Sequence, residues 1–150
     1  METKMILDGL LLFDNNSAIT ASGVSANVLD LLNARDMGPG YPLEVLVQPT
    51  ENFTATGAGT LQVQFQGSAD NSTFTTYAES AVLTLAQLQA GKNPFQIDVP
   101  SPNPNDPLPR YLRLNYLVGT GPMTAGKLTA GIILDRQQNI AYRPGIVVTN

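Results

Sequence analysis

Chemistry in this chain must come from carboxylates, hydroxyls, amides and a few cations, because its 150 residues include no His and no Cys. Without imidazole the usual general base is gone, and with it the Ser-His-Asp arrangement. Without thiols as well, zinc knuckles, imidazole metal sites, iron–sulfur sites and disulfides are excluded. Twelve Asp and Glu remain, and a pair of carboxylates can act as acid and base. Yet Asp14, Asp36, Asp70 and Asp106 all stand near Asn, Gly or Pro, the company of turn residues. Asp14-Asn15-Asn16 and Asp70-Asn71 lack the ligand spacing and closing Glu of a calcium loop. No Ser-x-x-Lys occurs to activate a serine, and the sequons at Asn52 and Asn71 are too common to mean much alone. The expectation is a protein that is not an enzyme and holds no metal or cofactor.

Binding chemistry is harder to set aside. Tyr41, Tyr77, Tyr111 and Tyr142 are not obviously on core faces and could stack sugars, although the best stacking residue, Trp, is absent. A β-sandwich carbohydrate-binding module is therefore kept as the alternative reading. The eight Lys and Arg are scattered and the net charge is -4, so no nucleic-acid footprint is present. No apolar run approaches the roughly 18–20 residues that cross a bilayer. The opening stretch is a poor signal peptide, since Glu2 opposes Lys4 and Asp8 interrupts the apolar residues. An N-terminal strand or arm on a protein of cytosolic origin is the expectation.

The elements that would position any site are strands. In residues 60–66, Leu61, Val63 and Phe65 alternate with Gln62, Gln64 and Gln66, which is the pattern of a half-buried strand. Val45 and Val47 repeat it, as do Leu112, Leu114, Tyr116 and Val118, and then Leu128, Ala130, Ile132 and Leu134. Residues 73–78 and 95–99 are shorter candidates. Turn chemistry separates them at Gly57-Ala58-Gly59, residues 67–71 and Gly119-Thr120-Gly121-Pro122. Thr84-Leu85-Ala86-Gln87 has capping-box form and Gly91 sits where a helix would stop, which predicts a helix of about two turns. Residues 25–38 fit either a helix or a strand, with the strand preferred. Residues 100–109 hold five of the eleven prolines and read as an extended surface loop. The organisation expected is one domain: residues 1–24 as N-terminal arm and first strand, 25–135 as β-sandwich core, and 136–150 as a C-terminal extension. The class is all-β and antiparallel, with at most one short helix.

Three stretches suggest a family. Leu11-Leu12-Phe13-Asp14 with Ala18-Ile19-Thr20-Ala21-Ser22 and Val28-Leu29-Asp30-Leu31 resembles the opening of the small capsid cement, or decoration, proteins of tailed bacteriophages. Residues 67–77 look like their strand-turn-strand segment. The closing Arg110-Tyr111-Leu112-Arg113-Leu114-Asn115-Tyr116, followed by residues 124–130, is similar to their last strands. The resemblance spans roughly residues 6–135.

The resemblance implies a jelly-roll-like sandwich, made in the host bacterial cytoplasm and carried on the outer surface of the virion capsid. It implies homotrimers that clamp the major capsid protein at three-fold or quasi-three-fold positions of an expanded head. A three-fold ring needs two different, matching faces on each subunit. On that reading Leu10, Leu11, Leu12 and Phe13 form a capsid-gripping arm, and Tyr142, Ile146 and Val147 dock on an adjacent subunit. Arg110 and Arg113 either pair with carboxylates across the trimer or belong to an ordinary exposed strand face. Removing residues 1–13 is expected to weaken head binding and leave the sandwich folded.

Overall fold

Alternating side chains sort themselves onto two faces only when strands pair in the matching register. In the computed structural model, which describes residues 8–33, 43–100 and 107–133, they do. The strands are β1 (Leu12–Ala18), β2 (Gly23–Val24), β3 (Leu29–Asp30), β4 (Glu44–Ala55), β5 (Thr60–Ser68), β6 (Thr75–Glu79), β7 (Leu83–Thr84), β8 (Tyr111–Gly119) and β9 (Met123–Ile133). Among the described residues the only helical piece is a 3₁₀ turn over Gly9–Leu11, capped by Asp8.

Every pairing is antiparallel. The smaller sheet runs β1-β9-β4 and the larger β2-β8-β5-β6, with β3 also on β8 and β7 also on β5. Residues 95–99, expected as a strand, instead lie along the free edge of β4 through one bridge, Glu44↔Asp98. Val45 N–H donates to Ile97 O at 2.8 Å and Val99 N–H to Leu43 O at 2.9 Å. Counting that segment, and taking β2 with β3 and β6 with β7 as single edge positions, four positions face four, and the chain changes sheet after β1, β3, β4, β7, the 95–99 segment and β8. That is the jelly-roll order, with its eighth member reduced to a bridge.

The core lies between the sheets. Val45 and Val47 of β4 and Leu128, Ala130 and Ile132 of β9 face Leu61, Val63 and Phe65 of β5 and Leu112, Leu114 and Tyr116 of β8, all buried. Phe13 meets Phe65 edge to face across the gap, with ring centroids 6.3 Å apart at 80°. Each such side chain contributes roughly 1.5–3 kcal/mol by leaving water. Two corners join the sheets at one end. Thr120 and Gly121 turn there at φ 58° and 95°, and a Cβ on Gly121 would sit 3.5 Å from Thr56 O.

The structure departs from the sequence pattern in two further places. Residues 84–88 make one turn and Gln89–Lys92 a second, separate one, not a two-turn helix. The Gln87 side chain accepts from Thr84 N–H at 3.0 Å, as a capping box would, and Gly91 is left-handed at φ 77°. But Leu88 is wholly buried and its carbonyl accepts from Phe53 N–H on β4 at 3.1 Å, so the turn is drawn into the sandwich before it can propagate. The other departure is Asp14, which is in β1 and not in a turn. Leu12 pairs with Gly131 and Asp14 with Ala130, so β1 carries one extra residue there. The bulge places consecutive residues, Phe13 and Asp14, out of simple alternation, and both are buried.

Candidate interaction surfaces

The outer face of the larger sheet is built by the residues that alternate with the core. On β5 these are Gln62, Gln64 and Gln66, and on β8 they are Tyr111, Arg113, Asn115 and Leu117. Their ends are tied to one another. Arg113 Nε donates to Gln66 Oε1 at 2.9 Å, Gln66 Nε2 to Thr76 Oγ1 at 3.2 Å, and Asn115 Nδ2 to Gln64 Oε1 at 2.9 Å. Gln64 Nε2 reaches Glu79 at 3.3 Å, and Gln62 Nε2 reaches Ser80 O at 3.0 Å. The Arg113 guanidinium lies 3.6 Å from the centroid of Phe74, a cation–π contact. The result is a broad polar plate in which these donors and acceptors bond to one another.

Arg110 builds a different feature at the edge of that sheet. Its Nε and a terminal nitrogen donate to the two Asp30 oxygens at 2.7 and 2.8 Å, a bidentate pair linking the residue before β8 to β3. The guanidinium also lies 4.8 Å from the Tyr111 ring centroid. Asp30 accepts Leu32 N–H at 2.8 Å as well. Hydrogen bonds from Arg110 and then from Leu32 hold the Asp30 carboxyl down at about 2, from its usual 3.8, and the same pairing raises the pKa of Arg110.

The residues expected at an interface divide among several environments. Leu10, on the 3₁₀ turn, is 85% exposed. Leu11 is half-buried and packs against the core, and Leu12 is half-buried over Gly131 on the outer face of the smaller sheet. Phe13 is 0% exposed and belongs to the core, so it cannot grip another protein. Within the chain Arg110 pairs with Asp30, and Arg113 bonds a glutamine and stacks on a phenyl ring. Tyr142, Ile146 and Val147 lie outside the described residues, as do the segments 134–150 and 101–106.

Tyrosines and carboxylates sort similarly. Tyr77 is 38% exposed, Tyr111 is half-buried beside Arg110, and Tyr41 is outside the described residues. Asp70 does make the turn its neighbours suggest. It accepts Thr73 N–H, Ser68 Oγ–H and Ser72 N–H, bonds that bring its pKa to about 2. Asp36 and Asp106 are outside the described residues. Among the described residues, a shallow groove lined by Ala86, Gln87, Lys92, Asn93 and Pro94 opens beside the two turns of residues 84–92, with no carboxylate in its lining. Sequence reasoning missed the Leu32 N–H bond to Asp30 and the Asp14–Tyr116 contact. Only the Asp30-x-Leu32 spacing, which suits an Asp side chain bonding two residues on, pointed toward the first.

Two comparisons bear on this fold. The model of the family described as Bbp16 matches residues 13–132, from the bulge of β1 to the end of β9. No curated protein matches the chain.

Proposed function

The chain belongs to the Bbp16 family, and from that premise we propose that it is a capsid cement protein. It is read as a non-enzymatic structural component on the outer surface of an expanded phage head, bound to the major capsid protein. The observation that carries this reading is the outer face of the larger sheet. Its amides, hydroxyls and single Arg113 are bonded laterally to one another and present a sparsely charged surface. Such a face suits a broad, wet protein contact, in which complementarity and bridging water matter more than a pocket. The resemblance of residues 11–31 and 110–130 to phage cement proteins supports the same reading.

Co-sedimentation of the purified chain with expanded heads that lack it is the direct test. Saturable binding, and heads that survive more heat or osmotic shock once decorated, is the expected result. No binding, together with a saturable glycan isotherm lost on Tyr77→Ala, would overturn it in favour of the carbohydrate-binding module. Three copies per site is the arrangement the resemblance implies. A native mass near three times 16.0 kDa that persists on dilution supports it, and any other stable mass replaces it.

A further inference from the structure

An antiparallel sheet in a two-layer sandwich keeps one face on the core and commonly leaves the other to water. On the outer face of the smaller sheet that rule fails at one place. Leu46 alternates with Val45 and Val47, which face the core, so it points away from them; yet it is only 1% exposed. Ile133 follows the inward Ile132, also points outward, and is 5% exposed. Both stand apart from the core cluster between the sheets. The pairings Leu12↔Gly131 and Leu46↔Gly131 set these residues in one row across three strands, with Ile133 in the next row opposite Glu44. Gly131 offers Leu46 no side chain, and its neighbours on the same face of β4, Glu44 and Gln48, are themselves only half-buried. Lateral contacts of that kind leave the top of a leucine in water, so a cover lies over this one.

Gly131 marks where the cover comes from. A Cβ there would stand 3.0 Å from Leu11 O and 3.1 Å from Leu12 Cδ2, so the end of the 3₁₀ turn lies against the outward side of that glycine. The missing side chain is what permits this close approach. The chain entering β1 is therefore on the outer side of β9, one strand spacing, about 4.8 Å, from Leu46. Just before the turn stand Met5-Ile6-Leu7, three apolar residues that reach roughly 10 Å when extended. We propose that Met5, Ile6 and Leu7 lie across the outer face of the smaller sheet and close it over Leu46 and Ile133, an apolar strap that makes a second, smaller core. Other covers fit less well. Residues 134–139 leave Ile133 beyond the end of the row and read Leu-Asp-Arg-Gln-Gln-Asn, with one apolar residue in six. Residues 34–42 are committed to joining the segment after β3, in the larger sheet, to the start of β4. A second copy needs about 800 Å² from each partner, far more than two aliphatic side chains supply. The strap is independent of the cement reading, and it withdraws Met5, Ile6 and Leu7 from any grip on a partner.

Methyl-labelled NMR on the full chain tests it, alongside thermal melts of the full chain and of one lacking residues 1–7. Nuclear Overhauser cross-peaks are expected from Met5, Ile6 and Leu7 to the methyls of Leu46 and Ile133. The shortened chain is expected to fold and to melt roughly 3–10 °C lower. Leu46→Ser should lower the melting temperature of the full chain, and that of the shortened chain by less than half as much, because the cover is then already gone. If Leu46→Ser does not fold, the cross-peaks of the unchanged chain still decide. An unchanged melting temperature on removing residues 1–7 overturns the strap. Cross-peaks to Leu46 from Leu134 or later residues overturn it in favour of the C-terminal segment, and cross-peaks between differently labelled chains overturn it in favour of a second copy.

Discussion

The Tyr116 hydroxyl donates to the Asp14 carboxylate at 2.5 Å, and each of the two residues is 1% exposed. Tyr116 is on β8 of the larger sheet and Asp14 on β1 of the smaller, so this bond crosses the sandwich. The other Asp14 oxygen accepts Ala26 N–H at 3.0 Å, so both carboxylate oxygens have donors. Tyr116→Phe removes one donor and leaves a buried acceptor unsatisfied, at a cost of about 2–3 kcal/mol. Urea titration should show an earlier midpoint with an unchanged slope. The double variant Asp14→Leu/Tyr116→Phe, which removes both polar partners, should recover at least half of that loss. A double variant as unstable as the sum of its single variants would mean that the two groups act independently.

The same contact sets an alkaline limit. Burial, and then the charge of Asp14, push the Tyr116 phenol far above its ordinary value of 10. A phenol that keeps its proton in the folded state but loses it in the unfolded one makes the folded state bind more protons above pH 10. Stability should therefore be flat below that pH and fall above it by up to about 1.4 kcal/mol per pH unit. Denaturant midpoints measured from pH 8 to 11 test this, and Tyr116→Phe should flatten the alkaline arm.

Asp30 offers a test of its pairing with Arg110. Its carboxyl sits at about 2 because Arg110 and then Leu32 N–H bond it. A carboxyl depressed in this way favours the folded state above its unfolded pKa, and that contribution is lost as pH falls from about 4 toward 2. Carbon-detected NMR titration should place Asp30 and Asp70 both near 2. In Arg110→Ala, Asp30 should rise toward 3.8 while Asp70, whose bonds come from Ser68, Ser72 and Thr73, stays in place. Equal movement of both would mean a general loosening. Both groups are exposed, so global stability should change little.

How legible the fold was in the sequence depended on whether local pattern and tertiary demand agreed. They agreed on β5 and β8, where the alternating apolar residues are buried, with Val118 half-buried at the end of the row, and the register pairs nine residues from Thr60↔Gly119 to Ser68↔Tyr111. They disagreed at Thr84–Gln87, where a sound capping box was overruled by the burial of Leu88. They disagreed again at Phe13-Asp14, because a bulge is set by the partner strand and leaves no trace in hydrophobic period. The residues expected at an interface were chosen by type alone. Exposed Leu10 and buried Phe13 stand in one apolar run, Leu10-Leu11-Leu12-Phe13, and only the packed sandwich separates them.

That separation fixes where the N-terminal stretch can be cut. Phe13 fills the space against Phe65, so Phe13→Ala should cost about 3–5 kcal/mol, the loss of a large core side chain plus the cavity it leaves. Leu10→Ser, at a residue 85% exposed, should shift stability by less than about 0.5 kcal/mol. A chain lacking residues 1–10 should therefore keep a cooperative transition, and one lacking residues 1–13 should not, since it also loses the backbone oxygens of Leu12 and Phe13 that hold Asn27. Head binding measured on the two truncations then has distinct meanings. Loss with residues 1–10 removed but the fold intact marks a true contact, whereas loss seen only on removing 1–13 reports a broken sandwich. Retained binding without residues 1–10 would discard Leu10 as a contact and leave the outer face of the larger sheet to carry the interaction.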